Sequence, residues 1–213
     1  MKKLRKFSAI FWDFDGVIKD SVGVKTHAFK KLFSNLDKVL VDKIISHHLD
    51  NSGISRFEKM PLYFKMANFN LNEKGIVEYL DRFSFLVEDE VIQSNWVPGA
   101  KEYLLKNYLK QDFYLVTATP QFEIEKILDA LKISHVFKQV FGAPTKKNEA
   151  IRGVISALNI PPTDAVMIGD ASADLQASMA NNIDFILRKT DYNKSLQTSY
   201  LGPQILDFSC YLD

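Results

Sequence analysis

Apolar positions follow two rhythms along this chain. Phe7-Ser-Ala-Ile-Phe-Trp12 is a short, nearly continuous apolar run that stops at an acidic, glycine-containing turn. Such a run fits a strand buried on both faces of a parallel sheet. Asp112-Phe-Tyr-Leu-Val116, Asp164-Ala-Val-Met-Ile168 and Ile183-Asp-Phe-Ile-Leu187 repeat the pattern, and helical periodicity lies between them at Gln121 to Leu131, Asn148 to Leu158 and Ala171 to Met179. Alternation of strand and helix from about residue 97 onward predicts a parallel α/β sheet, with Pro203 to Leu206 as a last edge strand.

The stretch from Ser21 to Asn95 lacks strand-like runs. Lys38 to Leu49, Arg56 to Asn68 and Glu73 to Val91 are amphipathic at helical spacing, interrupted by turn-forming residues at Asn51-Ser-Gly53 and Asn68 to Asn72. The expected architecture is a Rossmann-like α/β core, residues 1–19 and 97–213, with an all-helical insertion over 20–96 and Trp96-Val-Pro-Gly99 marking the return to the core. The polar stretch Thr190 to Gly202 reads as a surface loop.

Composition adds mainly exclusions. The 46% hydrophobic and 25% charged content is that of an ordinary globular chain. A net charge of +1 provides no broad field for nucleic acid or an anionic membrane, so a charged substrate must be met by local groups. The single cysteine, Cys210, cannot form an intramolecular disulfide. The basic start, Met1 to Lys6, precedes an apolar run too short for a signal peptide, and no segment approaches the ~20 apolar residues of a membrane span. A soluble, cytoplasmic protein is expected.

Chemistry gathers where the apolar runs end. Asp13 and Asp15 follow the first run and precede Gly16; Gly169-Asp170 and Asp174 follow another. Carboxylates at the carboxyl ends of parallel strands lie on the rim where such sheets bind ligands, and a cluster of them calls for a cation, with magnesium suited to hard oxygen donors. Each acid taken alone has a plainer reading as a helix cap. Thr117, at the end of the Leu115 to Pro120 run, can hydrogen-bond a phosphate oxygen, and Lys146-Lys147 supplies positive charge ahead of a helix.

The ordered set Asp13-Phe-Asp15-Gly16-Val17, Thr117, Lys147, Gly169-Asp170 and Asp174 resembles the four motifs of the haloacid dehalogenase superfamily over nearly the whole chain. The helical insertion resembles that family's cap. The resemblance implies a magnesium-dependent phosphatase acting on a small phosphorylated metabolite. Asp13 is then the nucleophile, transiently phosphorylated, and Asp15 the general acid and base. Magnesium is implied at the Asp13 carboxylate, the Asp15 backbone carbonyl, Asp170 and Asp174, and phosphate binding at Thr117, the Ala118 backbone and Lys147. Asp15 argues against carbon–halogen cleavage, which needs no acid for an oxygen leaving group.

Two alternatives belong beside this reading. Related phosphomutases carry a His where this chain has Lys25, with His27 two residues on, which weakens a mutase assignment; a non-catalytic regulatory relative is expected to lack one of the acids. Asn51-Ser-Gly-Ile-Ser-Arg56 resembles a cap turn whose Arg reaches a distal anionic group of the substrate, against the equally weighted reading of an Arg beginning a helix capped by Ser55. His47-His48 reads as a solvated or packed helix face, and Phe57, Tyr63, Phe64 and Phe69 as packing within the insertion.

Overall fold

Along each central strand of the computed structural model, alternate side chains enter opposite sides of one sheet. Ile10 and Trp12 of β1 (Ala9–Trp12), Phe113 and Leu115 of β2 (Asp112–Pro120) and Val166 and Ile168 of β4 (Ala165–Gly169) pack on one face. Ala9 and Phe11, Tyr114 and Val116, and Ala165 and Met167 pack on the other. With both faces covered, neither set of positions can be polar, which is why these strands read as unbroken apolar runs. Residues 4–212 are described; residues 1–3, where the basic start begins, and residue 213 lie outside them.

The sheet is parallel throughout, in the order β3-β2-β1-β4-β5-β6, with β3 at Gln139–Ala143, β5 at Asp184–Arg188 and β6 at Gln204–Ile205. This is the Rossmann-like α/β arrangement expected from the strand–helix alternation, and β6 is the expected edge strand. Four helices separate β1 from the rest of the sheet: α1 (Val22–Leu32), α2 (Lys38–Asp50), α3 (Arg56–Met66) and α4 (Glu73–Gln93). They are followed by α5 (Ala100–Asn107), α6 (Gln121–Ala130), α7 (Lys147–Ala157), α8 (Ser172–Ala180) and α9 (Lys194–Ser199). Among the described residues, no helix is long and apolar enough to cross a membrane.

Capping explains several boundaries. Asp37, Ser55 and Asn72 accept from Leu40, Phe57 and Gly75 backbone N–H groups and start α2, α3 and α4. The α2 and α3 boundaries flank the Asn51–Gly53 turn. Gly99 has φ +76°, and a Cβ there would lie 2.6 Å from the Phe208 carbonyl carbon, so this turn requires glycine.

The structure differs from the sequence expectations in three places. Strand β3 has an exposed or half-buried first half, so its apolar signal is short. The polar stretch over residues 190–202 contains α9, which buries no side chain and therefore shows no apolar stripe. Among the four aromatics, Tyr63 and Phe64 are buried and Phe69 packs against them, whereas Phe57 is 37% exposed beside the cleft, on the outward side of the first turn of α3.

Candidate active site

The chain leaves central β1 toward β2 and β3, then returns to place β4 on the other side of β1. That reversal opens a crevice at the carboxyl ends of β1 and β4. Trp12 is in register with Leu115 and with Ile168, so Asp13, Thr117 and Asp170 follow at one rim. Asp13 remains tied to the ladder: its N–H donates to Ile168 O at 3.0 Å, and Phe14 N–H donates to Asp13 Oδ1 at 2.8 Å.

Two glycines let the acids converge. Gly16 has φ +76°, and a Cβ on it would lie 2.3 Å from Asp170 Oδ2; one on Gly169 would lie 2.2 Å from the Asp174 Cβ. Asp13, Asp170 and Asp174 are all buried and offer oxygens within 4.8 Å of one another. Burial, then the Asp174 charge, pushes the Asp13 carboxyl up to about 7 against the opposing pull of Lys147. Burial and the charges of Asp13 and Asp174 raise Asp170 well above the usual carboxylate range. Three hard oxygen donors with more negative charge than their neighbours offset form a set that fits a divalent cation.

Lys147 is the cation that the protein itself supplies. Its Nζ lies 2.9 Å from Asp13 Oδ2 and 2.6 Å from Asp174 Oδ1. Burial disfavours its charge, but the two carboxylates overcome that and raise its pKa. Lys146, one residue earlier, precedes the first turn of α7 and is exposed. Asp174 also accepts from the Ala171 N–H at 3.0 Å, which fixes the first turn of α8.

The Asp15 carboxylate stands apart from the acidic trio. Ser21 Oγ donates to its Oδ1 at 2.6 Å, and Oδ2 accepts from Thr119 Oγ1 at 3.2 Å and pairs with Lys25. Burial alone would raise its pKa; Lys25 and the two hydroxyls outweigh that and lower it. Thr117 and Ala118 line the cleft beside Asp13, Asp15 and Asp170. Ser21, Lys25 and Thr119 escape a motif-based reading. The only available signal was Lys25 itself, at the position where related mutases have His.

The helical segment forms the facing wall, with His48, Arg56 and Lys59 lining the same cavity. Arg56 is largely committed to the protein: Nη2 pairs with Glu123 Oε1 at 2.6 Å, Nη1 donates to Ser84 Oγ at 2.8 Å, and the guanidinium lies 4.5 Å from the Phe83 ring centroid. Gly53 packs against the α8 start, where an added Cβ would lie 2.9 Å from the Cβ atoms of Ala171 and Ala173. The segment is therefore seated closely on the sheet rim.

A parallel sheet with a switch-point crevice, an acidic trio and a buried lysine defines a phosphoryl-transfer type of site. The family model for haloacid dehalogenase-like hydrolases matches residues 10–188. The chain belongs to that family and is a phosphatase, a phosphoric monoester hydrolase. It is 35% identical over 217 residues to the phosphoglycolate phosphatase of Psychrobacter arcticus, covering 96% of this chain and 94% of the relative. CbbY from Rhodobacter sphaeroides, in complex with xylulose-(1,5)bisphosphate, shares the fold with a TM-score of 0.75 at 14% identity, covering 97% of this chain and 99% of that one. YfnB from Bacillus subtilis, bound to magnesium, gives 0.70 at 16%, covering 96% and 98%.

Proposed function

We propose that this chain hydrolyses a small phosphate monoester through an aspartyl-phosphate intermediate with magnesium as cofactor. The observation that carries the reading is the division of labour between the two acids of the first motif. Asp13 lies in the charged cluster beside Lys147, while Asp15 is held to one side by Lys25, Ser21 and Thr119.

In the first step an Asp13 carboxylate oxygen attacks phosphorus, forming a P–O bond as the ester P–O bond breaks. Asp15 gives its proton to the departing oxygen. In the second step Asp15 removes a proton from water, whose oxygen attacks phosphorus; the Asp13–phosphorus bond breaks and inorganic phosphate leaves. Lys147, the Thr117 hydroxyl and the Ala118 backbone steady the phosphoryl oxygens as charge redistributes. Asp13, Asp170 and Asp174, with the Asp15 backbone carbonyl, would hold Mg2+, whose charge when bound offsets that of the carboxylates and the phosphoryl group.

On this reading residues 20–96 act as a cap over a core of 1–19 and 97–213. The close seating of Gly53 on Ala171 and Ala173 supports a small substrate, since a bulky one must displace that contact. The phosphoglycolate phosphatase relatives make phosphoglycolate the first substrate to try. The test is magnesium-dependent release of inorganic phosphate from an aryl phosphate, abolished by Asp13→Asn in protein that remains folded. Unchanged turnover in that variant with excess magnesium removes Asp13 as nucleophile.

A further inference from the structure

Lys59 is a buried lysine with no carboxylate partner. It is 4% exposed, its Nζ contacts His48 Nδ1 at 3.0 Å and donates to Asn51 O at 3.1 Å, and among the described residues no acid forms an ion pair with it. Lysine is almost never buried to this extent unless its charge is matched. An ammonium has three N–H donors, so two are used and one remains.

The neighbouring His48 carries a second unpartnered polar group. It is 2% exposed, lines the same cavity, and its Nε2 has no hydrogen-bond partner. With Lys59 donating to Nδ1, the ring proton sits on Nε2 and becomes a second donor without an acceptor. Burial, then the charges of Lys59 and Lys25, keeps the ring neutral, its pKa pushed down to about 2. A buried donor left unpaired is costly, and a ligand that accepts from it recovers that cost.

Arg56 and Lys25 line the cavity as well, but both have carboxylate partners, Glu123 and Asp15. The unmatched positive charge therefore rests on Lys59. Consistently, burial and the nearby charges of Lys25 and Arg56 depress its pKa to about 7, outweighing the opposing pull of Asp15 and Glu58, neither of which pairs with it. Water could satisfy the two donors but brings no charge, whereas an oxyanion satisfies them and also stabilises the ammonium form.

We propose that Lys59 and His48 form a subsite for a second oxyanion, a carboxylate or a second phosphate, carried by the same small phosphate ester whose phosphoryl group sits at Asp13. The proposal rests on the phosphatase reading above and names its substrate class. It also moves substrate selection from Arg56, as the turn motif suggested, to a lysine one helical turn further along α3. Lys59 binds and orients; it takes no part in the bond changes.

The test uses full-length Asp13→Asn protein with Mg2+ and isothermal titration calorimetry, so that binding is read without turnover. Three esters are compared: 2-phosphoglycolate, 2-hydroxyethyl phosphate with a neutral hydroxyl in place of the carboxylate, and 1,2-ethanediol bisphosphate. At least one of the two anionic-tailed esters is expected to bind tenfold or more tighter than the hydroxyethyl ester, and whichever is preferred identifies the oxyanion. Adding Lys59→Met should cut that preference to about threefold or less, and His48→Gln should reduce it in the same direction. In protein that retains Asp13, Lys59→Met should raise KM for the preferred ester more than it lowers kcat. Absence of any preference overturns the proposal, as do folded Lys59→Met and His48→Gln proteins that weaken all three esters in equal proportion. If protein with Asp13 releases phosphate from none of them while the preference is present, the proposed hydrolysis of esters of this class falls and the subsite stands.

Discussion

Arg56 and Glu123 meet across the cleft between the helical segment and the sheet, Nη2 to Oε1 at 2.6 Å, with side chains 5% and 0% exposed. Glu123 Oε2 has no hydrogen-bond partner, so this pair is the main compensation for a carboxylate withdrawn from water. Breaking a buried pair by removing one member typically costs about 3–5 kcal/mol, because the other charge is stranded. Arg56→Ala should therefore lower the thermal midpoint by roughly 6–20 °C, and Arg56→Met with Glu123→Gln should recover most of the loss. Its effect on turnover should be similar for 2-phosphoglycolate and for a neutral-tailed ester. A loss confined to the anionic ester would return Arg56 to substrate recognition.

In the proposed mechanism Lys147, rather than Lys146, supplies the positive charge that meets the phosphoryl group. Lys147 touches both Asp13 and Asp174, whereas Lys146 is exposed one residue earlier. Lys147→Met should reduce kcat/KM by roughly 10²–10³-fold, the scale found for losing one preorganised charge-stabilising group. Lys146→Met should stay within a few-fold of the parent. Reversal of the two results in steady-state assays would reverse the assignment.

The sheet and its acids were legible because both depend on local pattern. β1, β2, β4 and β5 are covered on two faces and so appear as apolar runs, and Asp13 and Asp170 stand directly beyond their ends. β3 was not legible, since an edge strand with an exposed start can be polar. The facing wall was harder still. His48, Lys59 and Glu123 are polar positions on helices, which sequence periodicity assigns to solvent, and only the docking of α2, α3 and α6 makes them interior. Arg56 shows the limit most plainly: its turn motif was visible, while its partner lies 67 residues away.

The raised pKa values of Asp13 and Asp170 make magnesium binding a stability measurement. Asp13 has its pKa raised to about 7 and Asp170 is raised as well, so the metal-free folded state holds protons that the unfolded chain releases near pH 4. For a carboxyl with a raised folded pKa, this contribution favours folding at low pH and is lost as pH climbs from about 4 toward 7. Metal-free protein should therefore lose stability across that window, and the midpoint gain on adding Mg2+ should be larger at pH 8 than at pH 5. Asp13→Asn should flatten the metal-free profile. Differential scanning calorimetry with chelator and with Mg2+ reads all three, and a magnesium shift independent of pH would detach the trio from metal binding.

Lys25 sets the acidity of Asp15. It shares Asp15 Oδ2 with Thr119 and also donates to Thr119 Oγ1 at 2.8 Å, so one ammonium both orients the carboxylate and lowers its pKa against the effect of burial. The proposed first step needs Asp15 protonated, so the Lys25 charge reduces the fraction of free enzyme that carries that proton near neutral pH. Lys25→Met removes the lowering charge, and the pH–rate profile of kcat/KM should move to higher pH while kcat drops roughly tenfold from lost orientation. Stability gives an independent sign. A carboxyl whose folded pKa is depressed contributes stability that is present above its unfolded value near 4 and is lost as pH falls through the folded value. The parent should therefore exceed Lys25→Met in thermal midpoint at pH 7, by roughly 3–8 °C, with the gap closing in acid. Lys25→Arg should restore much of the stability. A pH–rate profile unmoved by Lys25→Met, with activity merely scaled down, would reduce Lys25 to a packing role.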